Sequence, residues 1–480
     1  MRSTGTQYLS SQGWYGNTIW ADDPGDENFV IVGGVEVYRS TDGGVTLEAI
    51  SDWNKFPASA HADQHSIVSH PNYNGQSNTT VFFTNDGGIY RNDDVINTTT
   101  TSGWVSLNNN FGVTQFYGAA GNTKSGRIIG GTQDEGTVLY QPPPGATTGP
   151  NGYRVMALGD GGFAAADRDD PDYLYGEYVY LQLQRSTNGG LKAGYIFNGI
   201  ADSGSKERAL FIAPFILDPF DQKTMFAGGQ SLWRSTNVRT ATPSWKRIKA
   251  PLDGGGGLIS AIAATASSSS RMQSDIAWVG YSAASFQANS GAGRVYISAD
   301  ADRQAPTWRR VGEGRLPSRF VTRLRIDPKD PHRVYASFSG YSEGNLWRTT
   351  DGGTTWENIA NGLPHASVYD IAIHPANSRL VYAATELGVF ASGDGGQSWW
   401  ATNEGPANVA VSELFWMGDL LLAATHGRGL FWIDLSSAPQ GFAVSPGGLT
   451  PAASVIGPVR ERGTSTIIEN SSVPPPDIAR

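Results

Sequence analysis

The sequence repeats one short phrase: VYRSTDGGVTL at residues 37–47, LQRSTNGGL at 183–191, LWRTTDGGTTW at 346–356 and VFASGDGGQSW at 389–399. An apolar run ending in aromatic or basic residues is followed by Ser/Thr-x-Asp/Asn-Gly-Gly. The two glycines supply the positive φ angles of a tight turn, and the Ser/Thr and Asp side chains can bond amides within it. The phrase predicts a β-hairpin, and its recurrence predicts a stack of equivalent units.

A second marker gives the period of the repeat. An apolar strand ending in Asp-Pro or His-Pro recurs at intervals of about 47 residues or about twice that, at Pro24, Pro71, Pro171, Pro219, Pro328 and Pro375. Proline ends a strand because it has no N–H for the ladder. Filling the two long intervals gives nine units, although eight or ten fit the same spacing. The last unit, from Val411, shows three clear strands, and residues 6–11 (TQYLSS) are the candidate for its fourth.

The repeated phrase resembles the Asp-box of bacterial neuraminidase repeats. In that family the box joins the third and fourth strands of a β-propeller blade and is structural, far from the active centre. The resemblance implies that Asp42, Asp351 and Asp394 form turns. The chain is therefore predicted to be all-β, a single large β-propeller of four-stranded blades over residues 1–435, closed by its N- and C-terminal strands, which would remove free sheet edges.

Composition supports an all-β chain and restricts the classes of partner that the chain is expected to bind. The 480 residues include 60 glycines, 26 prolines and 14 tryptophans, and only 16% are charged. The net charge of −9 without a basic cluster argues against a nucleic-acid partner, and no apolar run approaches the ~18 residues of a membrane span. The absence of cysteine favours an extracellular or bacterial cell-envelope location. Residues 436–480 are rich in Pro and Ser and are predicted to be a tail or linker, and the chain is expected to be part of a larger protein or assembly.

Function is expected from residues that depart from the repeat. The first departure is His61-Ala62-Asp63-Gln64-His65. In an extended conformation His61, Asp63 and His65 would point to one side. Two imidazoles and a carboxylate could bind a divalent cation, the candidate cofactor, or act as an oriented acid–base group. The structural alternative is a polar cluster that ties a loop to its neighbour.

Three further departures are acidic turns between glycines. Asp86 lies in TNDGGIYR at residues 84–91, and Asp160 lies in LGDGGF at residues 158–163. Both mimic the repeated phrase but are out of register with it. Gln133 and Asp134 lie in GGTQDEG, a turn that suits sugar hydroxyls or Ca²⁺. For each turn the alternative is an ordinary structural turn.

These segments carry a wider resemblance. HADQH, NDGGIYR, TQFYG, GGTQDEG and GDGGF in this order, followed by THGRGLFWIDL at residues 425–435, are similar to bacterial sortilin-type propeller proteins, which are often described as glycosyl hydrolases. The resemblance adds Tyr117, His426 and Arg428 to the candidate ligand-binding residues. The usual Gln-Asp-Asn-Gly of these proteins is Gln-Asp-Glu-Gly here.

A more distant similarity is to xyloglucan-degrading endoglucanases built from paired propellers. Their two catalytic aspartates lie in Thr-Asp-Ile-Gly-Gly-x-Tyr-Arg and Gly-Asp-Ile-Gly-Gly-Phe phrases. The phrases around Asp86 and Asp160 are each one residue shorter. This similarity implies that Asp86 and Asp160 are catalytic.

Two functions follow as hypotheses. The first is a glycoside hydrolase acting on an extracellular polysaccharide, with Asp86 and Asp160 as acid and base and with exposed aromatic residues such as Trp14, Tyr15 and Tyr117 stacking on sugars. The second is a non-catalytic sortilin-like scaffold that binds a protein or peptide. A sialidase is disfavoured because the Arg-Ile-Pro phrase and an assignable arginine triad are missing from the sequence.

Overall fold

A computed structural model describes residues 7–109, 111–141, 152–253, 257–282, 293–402 and 405–436 of the chain. These residues form strands and turns with one single-turn 3-10 helix, Trp53–Lys55, and no α-helix occurs among them. The strands make nine antiparallel sheets, eight with four strands and one with three. The predicted all-β fold with nine repeated sheets is confirmed. The predicted tail lies outside the described residues apart from Ser436.

The described residues up to 111 form a first compact unit with two sheets. Sheet 1 contains β1 (Thr18–Trp20), β2 (Val30–Gly33), β3 (Val37–Ser40) and β4 (Glu48–Ala49), and sheet 2 contains β5 (Gln64–Ser69), β6 (Val81–Asn85), β7 (Gly88–Asn92) and β8 (Trp104–Ser106). The sheets share one core, in which Trp20 and Ile31 of sheet 1 pack with Ile67 and Phe83 of sheet 2.

The described residues from 112 onward form a second compact unit with seven sheets. Sheet 3 contains β9 (Phe116–Asn122), β10 (Arg127–Thr132), β11 (Gly136–Tyr140) and β12 (Tyr153–Ala157); sheet 4 contains β13 (Ala164–Ala166), β14 (Leu174–Tyr178), β15 (Gln182–Ser186) and β16 (Ala193–Tyr195); sheet 5 contains β17 (Phe215–Leu217), β18 (Met225–Gly228), β19 (Leu232–Ser235) and β20 (Lys246–Lys249).

The remaining sheets of this unit follow the same up-and-down order. Sheet 6 contains β21 (Ile259–Thr265), β22 (Ile276–Tyr281), β23 (Val295–Ser298) and β24 (Arg309–Val311); sheet 7 contains β25 (Val321–Asp327), β26 (Asp330–Phe338), β27 (Leu346–Thr349) and β28 (Glu357–Asn358); sheet 8 contains β29 (Val368–His374), β30 (Asn377–Thr385), β31 (Gly388–Ser392) and β32 (Trp400–Ala401); sheet 9 contains β33 (Val411–Met417), β34 (Leu420–Thr425) and β35 (Leu430–Asp434).

The seven sheets of the second unit close into a ring. The first strand of each sheet contacts the first strand of the next, from β9 through β13, β17, β21, β25 and β29 to β33, and β33 contacts β9. Such a ring of antiparallel sheets is a β-propeller, which leaves only short, protected strand edges. The contacts that complete a ring therefore involve seven of the nine sheets.

The ring closes by direct packing of sheet 9 on sheet 3. Met417 and Leu422 share a core with Phe116 and Ile128, and Glu413 Oε2 accepts the amide of Ala119 at 3.1 Å. Residues 7–11, proposed from the sequence as a closing strand, form turns instead. Their local bonding, with the Ser10 amide donating to the Gln7 carbonyl, uses groups that a strand would offer to a neighbour.

The repeated phrase folds as expected from its chemistry. In sheet 8 the Ser392 hydroxyl donates to Asp394 and accepts the Gly396 amide, both at 2.8 Å. The Asp394 carboxylate accepts the Ser398 amide at 3.0 Å. The same hydroxyl arrangement recurs at Ser40, Ser186 and Thr349. The hydroxyl and carboxylate groups of each phrase thus bond within their own turn.

Arginines and tryptophans of the repeat join neighbouring sheets. In the third strand of a sheet an arginine donates to main-chain carbonyls of the following sheet, as Arg348 does to Gly395 at 2.6 Å. A tryptophan after the turn donates to a carbonyl of the preceding sheet, as Trp399 does to Ile359 at 2.8 Å. The same tryptophan bond is made by Trp104, Trp245 and Trp308. The repeat therefore specifies the packing of adjacent sheets as well as the turn.

The two ends of each sheet carry different turns. In an up-and-down sheet the turns after the first and third strands lie at one end, and the turn after the second strand lies at the other. The repeated phrase follows the third strand, so we call its end the box end. The opposite end, which also receives the chain entering the first strand, is called the site end.

Candidate functional site

The residues singled out in the sequence lie at the site ends of their sheets. Asp86 occupies the turn between β6 and β7, and Asp134 the turn between β10 and β11. Asp160 precedes β13, and His426 follows β34. The other candidates at the same ends are His61, Asp63 and His65 at the entry to β5, Tyr117 near the start of β9, Gln133 beside Asp134, and Arg428 between β34 and β35. The box aspartates lie at the opposite ends of their sheets.

In the first unit the structure brings Asp86 together with His65 and Tyr15, a group we call the Asp86 cluster. The Tyr15 hydroxyl donates to the two carboxylate oxygens at 3.0 and 3.2 Å. His65 Nε2 lies 2.6 Å from Asp86 Oδ1. The Tyr15 and His65 rings meet edge to face at 5.1 Å, and the exposed Trp14 indole is 5.6 Å from Tyr15. A nearly buried carboxylate thus ends a row of three aromatic rings.

Neighbouring residues fix the turn that carries Asp86. The Asn108 side-chain amide donates to the Gly87 carbonyl at 2.6 Å, and its oxygen accepts the Ile89 amide at 2.8 Å. His61 packs against the same turn so closely that a Cβ on Gly87 would lie 2.4 Å from it. The position of Asp86 is therefore set by side chains from both flanking segments.

The predicted metal set of His61, Asp63 and His65 is not formed. Strand β5 begins only at Gln64, and Asp63 has a φ of 62°. This left-handed residue breaks the alternation that would have placed the three side chains on one side, so the extended conformation predicted here is wrong. Across the described part of the chain no group of three or more His, Asp or Glu could hold a metal ion.

In the second unit Asp160 and Asp134 are brought together. The Asp134 amide donates to Asp160 Oδ1 at 3.1 Å, and Asp134 itself has a φ of 61°. The backbones pack so tightly here that a Cβ on Gly131 would lie 2.0 Å from the Gly162 carbonyl oxygen. The glycines of both acidic turns are needed because two turns from neighbouring sheets touch through their main chains.

Tyr117, Gln133 and His426 form the adjoining part of the same region. The Tyr117 hydroxyl donates to Gln133 Oε1 at 3.0 Å, and its ring lies 5.2 Å from the His426 ring. Burial lowers the pKa of His426, which keeps its imidazole neutral near pH 7. With Asp134 and Asp160 these residues make up the ring site. Arg428 instead donates to the Ala407 carbonyl at 2.9 Å and lies over Phe431.

Two residues near Asp160 had no signal in the repeat. Glu177 is buried, and its carboxylate accepts the amides of Leu181 at 2.8 Å and Ala213 at 2.9 Å. A Cβ on Gly162 would lie 2.2 Å from this carboxylate, so Glu177 backs the Asp160 turn. Burial raises the pKa of Glu177. The Tyr178 ring packs on Gly159, and its pKa is raised by burial and then by the charge of Asp160.

The inner strands of the ring carry a buried ionic cluster. Arg325 on β25 donates to both Asp370 oxygens at 2.8 and 2.6 Å and lies 3.4 Å from Glu413. Arg323 lies 3.3 Å from Asp370 and over the Phe163 ring. The two arginines hold the pKa of Asp370 below its usual range despite burial. Charged side chains from three successive inner strands therefore pair with one another in this region.

The ring of seven sheets in the second unit defines a β-propeller. No protein-family model matches the chain. A stretch of 94 residues is 32% identical to the Xyloglucanase Xgh74A of Acetivibrio thermocellus, covering 16% of this chain and 11% of that protein. The chain thus spans about a tenth of the length of the curated relative it matches.

Similar solved structures include propellers. The β-propeller domain of Cps50 (Swd1) from Myceliophteria thermophila is 14% identical with a TM-score of 0.45, covering 66% of this chain and 96% of that chain. The GH74 xyloglucanase from Xanthomonas campestris is 16% identical with a TM-score of 0.27, covering 85% of this chain and 68% of that chain. The described residues contain no helix with the length and apolar character that a membrane crossing requires.

Proposed function

We propose that the chain is a carbohydrate-active propeller protein and that Asp86 and Asp160 serve as acid and base in hydrolysis of an extracellular polysaccharide. One observation supports this most directly. The box carboxylates bond amides of their own turns, as Asp394 bonds Ser398. Asp86 instead accepts a hydrogen bond from the hydroxyl of Tyr15, 71 positions away, and Asp160 accepts one from the amide of Asp134, 26 positions away. These carboxylates are positioned by the fold.

Glycoside hydrolysis needs carboxyl groups that are held in fixed positions. One carboxyl protonates the leaving oxygen while the other activates water or attacks the sugar, with separations of ~6.5–9.5 Å for inversion and ~5–5.5 Å for retention. Donors such as the Tyr15 hydroxyl hold a carboxylate in place for that role. The exposed Trp14 indole beside Tyr15 offers an apolar face to a sugar ring.

The wider assignments belong to the same proposal. The turn geometry of the repeated phrase supports membership among Asp-box proteins of the bacterial sortilin type. The stretch of 94 residues that is 32% identical to a xyloglucanase makes xyloglucan the first substrate to examine. An extracellular or cell-envelope location would bring the protein to such a polymer.

The test is hydrolysis of xyloglucan and other β-glucans by the purified protein. Asp86→Asn and Asp160→Asn are each expected to reduce the rate by about 10²-fold or more, because general acid–base groups contribute about 10²–10⁴. An aryl glycoside with a good leaving group should restore much of the rate only in the variant that lacks the acid.

The matched control is Asp42→Asn. Asparagine already occupies the equivalent box position at Asn188, where Ser186 donates to it at 2.9 Å, so this variant should fold and retain activity. Equal losses in all three variants, or no hydrolysis by the unmodified protein, would contradict the proposal.

The alternative, a scaffold that holds a peptide inside the ring, is less well supported. It calls for an accessible apolar passage along the inner strands. Arg325, Asp370 and Glu413 pair there instead. If the protein binds peptides while hydrolysing no glucan, this alternative replaces the first.

A further inference from the structure

The first strand of several sheets carries a β-bulge near its start, at the site end. In sheet 6 Ile259 pairs with Tyr281 and Ala261 pairs with Gly280, so Ser260 is the extra residue. The same shift of register isolates His65 in sheet 2, Tyr117 in sheet 3, Thr322 in sheet 7, Tyr369 in sheet 8 and Ser412 in sheet 9. A bulge re-aims a side chain, and bulges are over-represented next to active sites.

In sheets 6 and 7 the bulged residue has a structural use. The Ser260 hydroxyl donates to the Val321 carbonyl at 2.7 Å, and the Thr322 hydroxyl donates to the Val368 carbonyl. Each of these bonds joins the bulge to the first strand of the following sheet. A short side chain with one O–H donor is sufficient for this contact. The packing of the repeat therefore accounts for serine or threonine at the bulge, but it does not account for histidine.

In sheet 2 the bulged residue is His65, and its imidazole lies against Asp86. Nε2 is 2.6 Å from Asp86 Oδ1, and the Tyr15 ring meets the imidazole edge to face at 5.1 Å. Because a carboxylate accepts hydrogen bonds, Nε2 carries the proton of the neutral ring and Nδ1 keeps a lone pair. The His65 side chain is 38% exposed, whereas the Asp86 side chain is 8% exposed. The imidazole is thus the more accessible group of the pair.

We propose that His65 is a further catalytic residue of the Asp86 cluster and that its Nδ1 takes the proton of the attacking water. Both oxygens of Asp86 accept the Tyr15 hydroxyl, so this carboxylate is held where it orients the ring and stabilises the imidazolium that forms. Asp86 then acts through His65, and Asp86→Asn still removes activity. The reaction assigned to His65 rests on the proposed hydrolysis, but the geometry of the pair does not.

The proton transfer accompanies the attack of water on a sugar. One O–H bond of the water breaks as its proton moves to His65 Nδ1, and the water oxygen bonds the anomeric carbon. The bond from this carbon to the glycosidic oxygen breaks, and that oxygen leaves with a proton from a carboxylic acid. Nδ1 then returns its proton to solvent. Direct attack by water inverts the configuration of the anomeric carbon.

His70, which follows the other end of the same strand, provides the matched control. Its Nδ1 accepts the amide of Asn72 at 3.1 Å and lies 3.2 Å from the side-chain nitrogen of Asn78. The lone pair of this imidazole is therefore already used by its own turn. His70 has the same chemistry as His65 without a carboxylate partner at the site end.

The first experiment compares hydrolysis of xyloglucan by His65→Gln and His70→Gln proteins. His65→Gln should lower kcat by about 10²-fold or more with little change in KM, because a general base contributes about 10²–10⁴. His70→Gln should leave both constants unchanged. In a His65→Ala protein, added imidazole should raise the rate at least about tenfold, which a loss of packing alone would not allow. Equal losses in the two glutamine variants, or no rescue by imidazole, would overturn the proposal.

The second experiment needs no substrate. Diethyl pyrocarbonate acylates an imidazole nitrogen that has a lone pair, and mass spectrometry of peptides identifies the modified histidines. His65 should react at least about tenfold faster than His70, and its reaction should slow in Asp86→Asn because the carboxylate no longer raises the basicity of the ring. Equal rates at His65 and His70 would overturn the assignment. Fast acylation of His65 in a protein that hydrolyses no glucan would support His65 as a base and overturn the proposed hydrolysis instead.

Discussion

The same Asp-Gly-Gly motif has different hydrogen-bond partners at the two ends of the sheets. At the box end Asp394 bonds Ser392 and the amides that follow it in its own turn. At the site end Asp86 bonds Tyr15 and lies against His65, which come from other segments. A box turn supplies the side-chain partners of its own aspartate and can recur along the chain. A site turn exists only where the fold supplies its partners, so it is the one that can hold a reactive group in place.

The largest expected effect is steric and falls at the site end. Gly131→Ala would place a Cβ 2.0 Å from the Gly162 carbonyl oxygen, and the main chains would have to separate. We expect a loss of about 3 kcal/mol in unfolding free energy, the upper range for overpacking.

The box-end control for this prediction is Gly352→Ala in the same unit. Its Cβ would meet His332 only at 3.4 Å, and the cost is the left-handed φ of 66°, about 1 kcal/mol. Urea unfolding followed by tryptophan fluorescence measures both variants. Similar losses of unfolding free energy in the two variants would mean that the main-chain contact between the acidic turns is no tighter than the contacts of a box turn.

An intermediate effect concerns hydroxyl groups. Ser392→Ala removes the acceptor for the buried Gly396 amide, so we expect a loss of about 2 kcal/mol at the box end. Tyr117→Phe removes a partly exposed hydroxyl at the site end and should cost less than about 1 kcal/mol. Calorimetric titration with a xyloglucan oligosaccharide should show the reverse order, with weaker binding only in Tyr117→Phe. Unchanged binding would remove Tyr117 from the ligand site.

The smallest expected effect is a pH dependence at the box end. Hydrogen bonds from Thr355 lower the pKa of the exposed Asp351 from 3.8 to about 2. Because this pKa is depressed in the folded state, its stabilisation is present above pH 3.8 and is lost as the pH falls towards 2. Between pH 5 and pH 2.5 the urea midpoint of Asp351→Asn should therefore vary less than that of the unmodified protein. The difference should be about the contribution of one titrating carboxyl group. An identical pH dependence in both proteins would mean that the Asp351 bonds do not contribute.

Much of the candidate site was predictable because it breaks the repeat. Asp86 and Asp160 were identified from glycine turns that are out of register and Asp134 from a polar turn flanked by glycines, and all three lie at site ends. The positive φ of Asp63 was not predictable from alternation, since a single left-handed residue interrupts an extended conformation. The bond from Tyr15 to Asp86 was not predictable either, because nothing local relates residues 71 positions apart.

By itself the sequence determined the unit of this protein: a four-stranded sheet with a turn that bonds itself and side chains that reach its neighbours, because these interactions span few residues or one repeat. Only the tertiary structure decided how the units are grouped. Packing of β33 on β9 closes seven sheets into a ring and leaves sheets 1 and 2 in a unit of their own. Which first strands meet depends on the accumulated angle between successive sheets, and that angle is set by the packing of whole faces.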